Sequence, residues 1–198
     1  NVENVNTPIV ENAINSAPFV IQGAVMTISE PSFFGGATID EEIINDTQEN
    51  GTFGLRTGVN HPELVGGIGA ANMTRTITFD KPVCDLTMFF NDIDNNDIAI
   101  INPKLNGVTY TMTAGVDFTL PAGAGTNVIY QGGNLFDSAA DIGLNNTDVG
   151  GIDFTFSQCI DEIELIFYDD VAGPGELGSE GGSYTISFPE TCDYPNTQ

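Results

Sequence analysis

Basic residues are almost missing from this chain. Lys and Arg together number 4, against 28 Asp and Glu, which gives a formal net charge of −24. Charged residues are nevertheless only 16% of the sequence, so the acidity comes from the shortage of bases. A surface this negative repels nucleic acid and anionic lipid, and we expect neither as a partner. Divalent cations are the favourable counter-ions for it.

Residues that support catalysis are also scarce. His61 is the single histidine, and the sequence contains neither a serine nucleophile motif nor a Cys-His pairing pattern. Two carboxylates alone can hydrolyse a glycosidic bond, but the aromatic platforms of sugar-cleaving clefts are poorly represented because tryptophan is absent. One histidine and three scattered cysteines lack the spacing of a zinc site. We therefore expect a protein that is not an enzyme.

Long apolar runs and helical periodicity are missing as well. No apolar run approaches 18 residues, so no membrane insertion is expected. Short apolar stretches alternate with turn residues, which is typical of an all-β protein. With 198 residues and 40% hydrophobic content, the chain suits one antiparallel β-sandwich, jelly-roll-like with Greek-key hairpins. We predict a polar arm over 1–17, the sandwich over 18–192 and a tail over 193–198, in a chain that begins like a processed piece.

Two stretches share one pattern, Ile77 to Asp92 and Phe154 to Asp170. Each has the composition of a strand, a polar turn and a second strand that ends in acidic residues. Alternation in the second strands predicts a buried set in each; its members are Leu86, Met88, Phe90, Ile163, Leu165 and Phe167. The repetition predicts two equivalent hairpins, with their acidic ends at the same end of the domain.

These acidic ends predict a calcium site. Ca²⁺ takes six to eight oxygen ligands from carboxylates, amides and backbone carbonyls. The candidate ligands are Asp92, Asp94, Asn96, Asp97, Asp169 and Asp170. An EF-hand is excluded because its glutamate position is occupied by Pro103. The alternative is a solvated acidic turn, since Asp and Asn are ordinary turn residues.

The three cysteines permit one disulfide, which is compatible with an oxidising extracellular setting. The last predicted strand, Ser183 to Cys192, follows the second hairpin through a Gly-rich loop. Antiparallel pairing of this strand with Ile160 to Tyr168 would place Cys192 opposite Cys159, so we predict that bond. Cys84 would then be a small buried residue or a link to another chain.

The remaining segments are read from their local composition. Pro18 to Ser29 and Ser32 to Ile39 predict strands, and Asp40 to Gly51 predicts a loop or one helical turn. Gly and Pro punctuate Thr52 to Met73, which predicts a long excursion without regular structure. Further short strands are predicted at 98–103, 107–113, 117–120 and 127–133.

The run TFDKPVCDLTMFFNDIDNND, followed by FTFSQCIDEIELIFYDD and a final Gly-rich loop and strand, resembles the jelly-roll modules of large secreted surface proteins and adhesins. Such modules are found especially in Bacteroidetes that use the type IX secretion route. The resemblance covers roughly Met73 to Cys192. It implies a cell-surface, non-catalytic and often calcium-stabilised module, and it carries over no ligand-contact residues.

The expected function is extracellular adhesion or cell-surface architecture, with calcium as cofactor. The expected partner is a surface glycan, a protein ligand or copies of the same chain. One alternative is a fibre subunit, in which the arm and the strand from Pro18 complete the sheet of a neighbour. Another is a carbohydrate-binding module of a secreted hydrolase, in which Tyr110, Tyr130 and Tyr168 stack on a sugar.

Overall fold

The computed structural model describes residues 19–35, 38–48, 52–61, 72–91, 93, 97–120, 128–138, 151–169 and 180–188. Over these residues the regular structure consists of strands alone. The strands are β1 (Phe19–Ile21), β2 (Ala24–Ile28), β3 (Ser32–Phe34), β4 (Thr38–Gln48), β5 (Thr52–His61), β6 (Asn72–Val83), β7 (Thr87–Asn91), β8 (Asp97–Leu105), β9 (Val108–Thr109), β10 (Phe118–Thr119), β11 (Val128–Gly132), β12 (Leu135–Ser138), β13 (Ile152–Thr155), β14 (Ile160–Asp169) and β15 (Glu180–Phe188).

The strands form two sheets. The nine-stranded sheet has the order β1-β2-β6-β14-β8-β12-β11, with β3 also beside β6 and β9 beside β8; the six-stranded sheet has the order β10-β13-β7-β15-β5-β4. The strand pairs of the described residues are antiparallel, and β1-β2, β4-β5, β8-β9 and β11-β12 are hairpins. The predicted all-β antiparallel sandwich is confirmed.

One apolar core joins residues of both sheets. In β6, buried residues alternate with half-buried ones from Met73 to Phe79, as expected for a strand with one face on a core. The predicted buried set, Leu86, Met88, Phe90, Ile163, Leu165 and Phe167, is confirmed, with exposures of 2% or less. Each such side chain contributes roughly 1.5–3 kcal/mol when fully buried. One basic residue, Arg75, is also buried, on the core-facing side of β6.

The two similar stretches are not hairpins, because each crosses from one sheet to the other. β6 and β14 belong to the nine-stranded sheet, whereas β7 and β13 belong to the six-stranded sheet. The first half of each stretch pairs with the second half of the other, β6 with β14 and β13 with β7. We call the end where residues 84–86 and 156–159 cross the corner end. The predicted pair of hairpins is wrong because each strand pairs with a strand of the other stretch and not with its neighbour in the same stretch.

Three further predictions are wrong. Residues 38–48 and 52–61 form the strands β4 and β5 in place of a loop and an irregular excursion. The pairing of β5 with both β4 and β15 explains this outcome. Backbone hydrogen bonds to two neighbouring strands stabilise β5 as a strand even though its local composition does not favour one. The last strand, β15, pairs with β5 and β7 and not with β14 as predicted.

Candidate functional site

The acidic strand ends meet at the end of the sandwich opposite the corner end. Asp97 opens β8 and Asp169 closes β14, and the two residues are direct partners in the antiparallel register. Asp97 is only 2% exposed, and Ile93, four positions before it, is fully buried in the core. We call this region the acidic end. Ile93 and Asp97 are the two described residues of 92–97, and both are buried.

Of the six predicted calcium ligands, the structure brings together Asp97 and Asp169. Asp92, Asp94, Asn96 and Asp170 lie outside the described residues. Within the described ranges, no group of three or more His, Cys, Asp and Glu side chains is arranged to hold a metal. The site therefore remains a prediction, with two of its residues placed in register by the backbone.

The disulfide lies at the corner end. Cys84 is bonded to Cys159, and their Cα atoms are 4.0 Å apart. The bond joins the two segments that cross between the sheets, and Cys84 is exposed to solvent. The predicted Cys159–Cys192 bond is wrong because β15 lies in the other sheet from β14. Cys192 lies outside the described residues.

A buried carboxylate near the corner end was missed from the sequence. Asp117 is 3% exposed. Its Oδ1 accepts hydrogen bonds from the Ser157 backbone N–H (3.0 Å) and hydroxyl (2.6 Å), and its Oδ2 accepts one from the Thr113 N–H (2.8 Å). Burial raises the pKa of the carboxyl, but these hydrogen bonds outweigh burial and hold the pKa below its ordinary value. Asp117 thus fastens the 113–117 loop to the segment after β13.

A second buried polar residue, Asn134, performs a similar role in the turn between β11 and β12. Its backbone has φ of 66°, a region that Asn tolerates better than most residues. The side chain accepts a hydrogen bond from the Met112 N–H (2.8 Å) and donates one to the Tyr110 carbonyl (2.9 Å). A Gly-Gly-Asn sequence signals a turn, but nothing local reveals the partners on the distant 110–112 segment.

Two of the tyrosines proposed as sugar platforms are structural. Tyr130 donates its hydroxyl hydrogen bond to the Met112 carbonyl (3.0 Å), and its ring packs against Phe118 and Phe136. Tyr110 is half-buried. The pKa of its hydroxyl is raised, mainly by burial and to a smaller extent by the negative charge of the nearby Asp117. Tyr168, on β14, is the register partner of Ile98 on β8. Tyr110 and Tyr130 both pack against the apolar core, which favours a packing role for their rings.

An ion-pair cluster lies on the outer face of the nine-stranded sheet. Lys104 Nζ is 2.7 Å from Glu162 Oε1 and 3.4 Å from Glu164 Oε1. The hydrogen bond to Glu162 and the charges of both glutamates raise the pKa of Lys104, although burial opposes them. Asn102 completes the cluster by donating from Nδ2 to Glu164 Oε2 (3.1 Å).

The segment proposed as the joint of a fibre is part of this chain's own fold. β1 and β2 form a hairpin, and β2 pairs with β6. Ile21, Ala24, Met26 and Ile28 are at most 2% exposed in the core. The predicted arm over 1–17 and tail over 193–198 lie outside the described residues.

Comparison with known proteins supplies no relative: no protein family model, no curated protein and no solved structure matches the chain. The described part of the chain contains no helix long and apolar enough to cross a membrane. His61, the single histidine, is the last residue of β5 and is in register with Glu180 of β15.

Proposed function

We propose that this chain is a non-catalytic binding module of an extracellular or cell-surface protein, used for adhesion or surface architecture and stabilised by calcium. The observation that carries this proposal is the register of Asp97 with Asp169, which places one acidic residue from each stretch at the same end of the sandwich. Like charges at directly opposite positions of a sheet are destabilising. A bound Ca²⁺ would reverse the sign of that interaction.

The disulfide supports the extracellular part of the proposal. Such bonds form and persist in oxidising compartments and are rare in the cytosol. Cys84 and Cys159 join two segments that are 75 positions apart in the sequence, and Cys84 is open to solvent. An accessible bond of this kind is best maintained outside a reducing cell interior. The negative surface and the shortage of bases agree with a setting rich in divalent cations.

The self-contained fold of the first strands favours adhesion over strand exchange. The strands β1 and β2 pair within this chain, and the side chains of Ile21, Met26 and Ile28 lie in its own core. A module of this kind folds alone and presents loops or a sheet face to its ligand. We therefore place the fibre hypothesis second.

Attachment of the fluorescently labelled chain to a panel of bacterial cells, immobilised glycans and matrix proteins tests this function. We expect retention on at least one surface in millimolar calcium and release by excess EGTA. The same preparation should release no sugar or peptide from any of these surfaces. Absence of retention throughout, or steady hydrolysis of one surface, would contradict the proposal.

A further inference from the structure

The outer face of the nine-stranded sheet changes character along its strands. The register places Leu135, Ile100 and Ile166 in one row across β12, β8 and β14. One step toward the corner end, Asn102, Glu164 and Thr76 form a second row across β8, β14 and β6. We call these six residues the outer platform. An aliphatic row therefore lies directly beside a row of amide, carboxylate and hydroxyl groups.

The outer platform is partly open to solvent. All six residues are half-buried, whereas Ile98, one row nearer the acidic end, is only 2% exposed and marks the limit of the open aliphatic surface. Phe34, on β3 opposite Asn72, adds an aromatic ring that is 67% exposed at the rim. Asn102 and Lys104 both contact Glu164, so the polar row carries a locally compensated charge.

We propose that the outer platform binds an uncharged polysaccharide. This inference rests on the proposed binding function and names the ligand class and the surface. A sugar ring presents C–H groups on its faces and hydroxyls at its edge. The aliphatic row suits the former, and the amide, carboxylate and hydroxyl row suits the latter. With a formal charge of −24, the chain repels acidic polysaccharides and nucleic acid.

The size of the platform favours a chain-shaped ligand. Each of the two rows crosses three strands, and Thr74 and Ser32 continue the line of the aliphatic row with hydroxyl side chains. At about 4.8 Å per strand and about 7 Å per row, the two rows cover roughly 200 Å². A stable protein interface needs about 800 Å² on each partner, so the platform is too small for a second copy of this chain or another folded protein. An extended peptide would add to a sheet edge, where backbone hydrogen bonds are open.

Affinity electrophoresis in gels that contain hydroxyethylcellulose, galactomannan or a soluble β-1,3-glucan tests the proposal. We expect the wild-type chain to be retarded by at least one of them. Ile166→Thr and Asn102→Ala should each raise the dissociation constant about tenfold or more, which corresponds to about 1.4 kcal/mol. Val108→Thr is the matched control, because Val108 is 70% exposed on the β8-β9 hairpin outside the platform. It should leave retardation unchanged.

Melting curves of each variant separate a binding defect from unfolding. If Ile166→Thr does not fold, Asn102→Ala alone tests the platform. No retardation in any of the three gels, or equal retardation of wild type and both variants, would overturn the platform assignment. The surface-attachment assay tells the two proposals apart. Attachment that survives both variants but is lost after protease treatment of the target indicates a protein ligand, which removes the polysaccharide proposal and leaves the binding function intact.

Discussion

The acidic residues near the corner end and those at the acidic end of the sandwich have different neighbours. Near the corner end, Asp117 accepts three hydrogen bonds, Asp161 accepts one shared by its two oxygens from the Asn106 N–H, and Glu162 pairs with Lys104. At the acidic end, Asp97 and Asp169 occupy opposite positions of one ladder. The carboxylates near the corner end have donors that hold them within the fold, which is a structural role. For the acidic end, where two acidic residues are register partners, we propose a cation-dependent role.

The largest effect is expected from the disulfide of the corner end. The double variant Cys84→Ser/Cys159→Ser should lose about 4 kcal/mol of unfolding free energy, because the bond closes a loop of 75 positions in the unfolded chain. Urea denaturation measures this loss, and Cys192→Ser serves as the control with unchanged stability. A peptide map that links Cys159 to Cys192 would contradict the pairing.

Removal of the Asp117 carboxylate should have the next largest effect. Asp117→Ala should cost about 2–3 kcal/mol, since it leaves the partly buried backbone donors of Thr113 and Ser157 without their charged acceptor. The folded pKa of Asp117 lies below its unfolded value, so its contribution is present above about pH 4. That contribution should disappear as the pH falls through the folded pKa.

Asp117→Asn isolates this pH dependence. The difference in unfolding free energy between wild type and Asp117→Asn should shrink below about pH 4, as followed by urea titrations at several pH values. Asp85→Asn is the matched control, because Asp85 is exposed at the corner end. A difference that stays constant down to pH 2 would contradict the role assigned to the hydrogen bonds.

The smallest effect is expected at Lys104. Its ion pair with Glu162 is partly open to solvent, so Lys104→Gln should cost less than about 1 kcal/mol. Because the folded pKa of Lys104 lies above its unfolded value, this contribution is present below about pH 10.4 and is lost as pH rises through the folded pKa. Denaturation at pH 8 and pH 11 measures it, with Lys81→Gln as the exposed control. A cost of several kcal/mol would indicate that the pair is a buried structural element.

Alternation of side chains allowed the fold class and much of the core to be predicted. Leu86, Met88 and Phe90 alternate with a set that includes Thr87 and Asn91, and this local signal is enough to orient a strand against a core. The partner of each strand could not be read in the same way. The stretches around Cys84 and Cys159 have the composition of hairpins, but the strands of each stretch pair with those of the other stretch. This arrangement also brings Cys84 and Cys159 together in the disulfide.

The candidate site was predictable only where its residues are local in sequence. The DIDNND run drew attention to this region in the sequence, and the register of its last residue, Asp97, with Asp169 follows from the pairing of β8 with β14. Asp117 and Asn134 were missed because their partners are remote: Ser157 lies 40 positions from Asp117, and Met112 lies 22 positions from Asn134. The outer platform was missed because its rows exist only when strands distant in sequence are in register.

Calcium titration by isothermal calorimetry, paired with thermal melting, tests the central claim most directly. The wild-type chain should bind Ca²⁺ with measurable heat and gain about 2.7 kcal/mol when free calcium is 100-fold above the dissociation constant. Asp97→Asn should lose most of both effects, whereas Asp85→Asn at the corner end should keep them. Absence of binding heat together with identical melting curves in calcium and in excess EGTA would contradict the calcium-dependent acidic end.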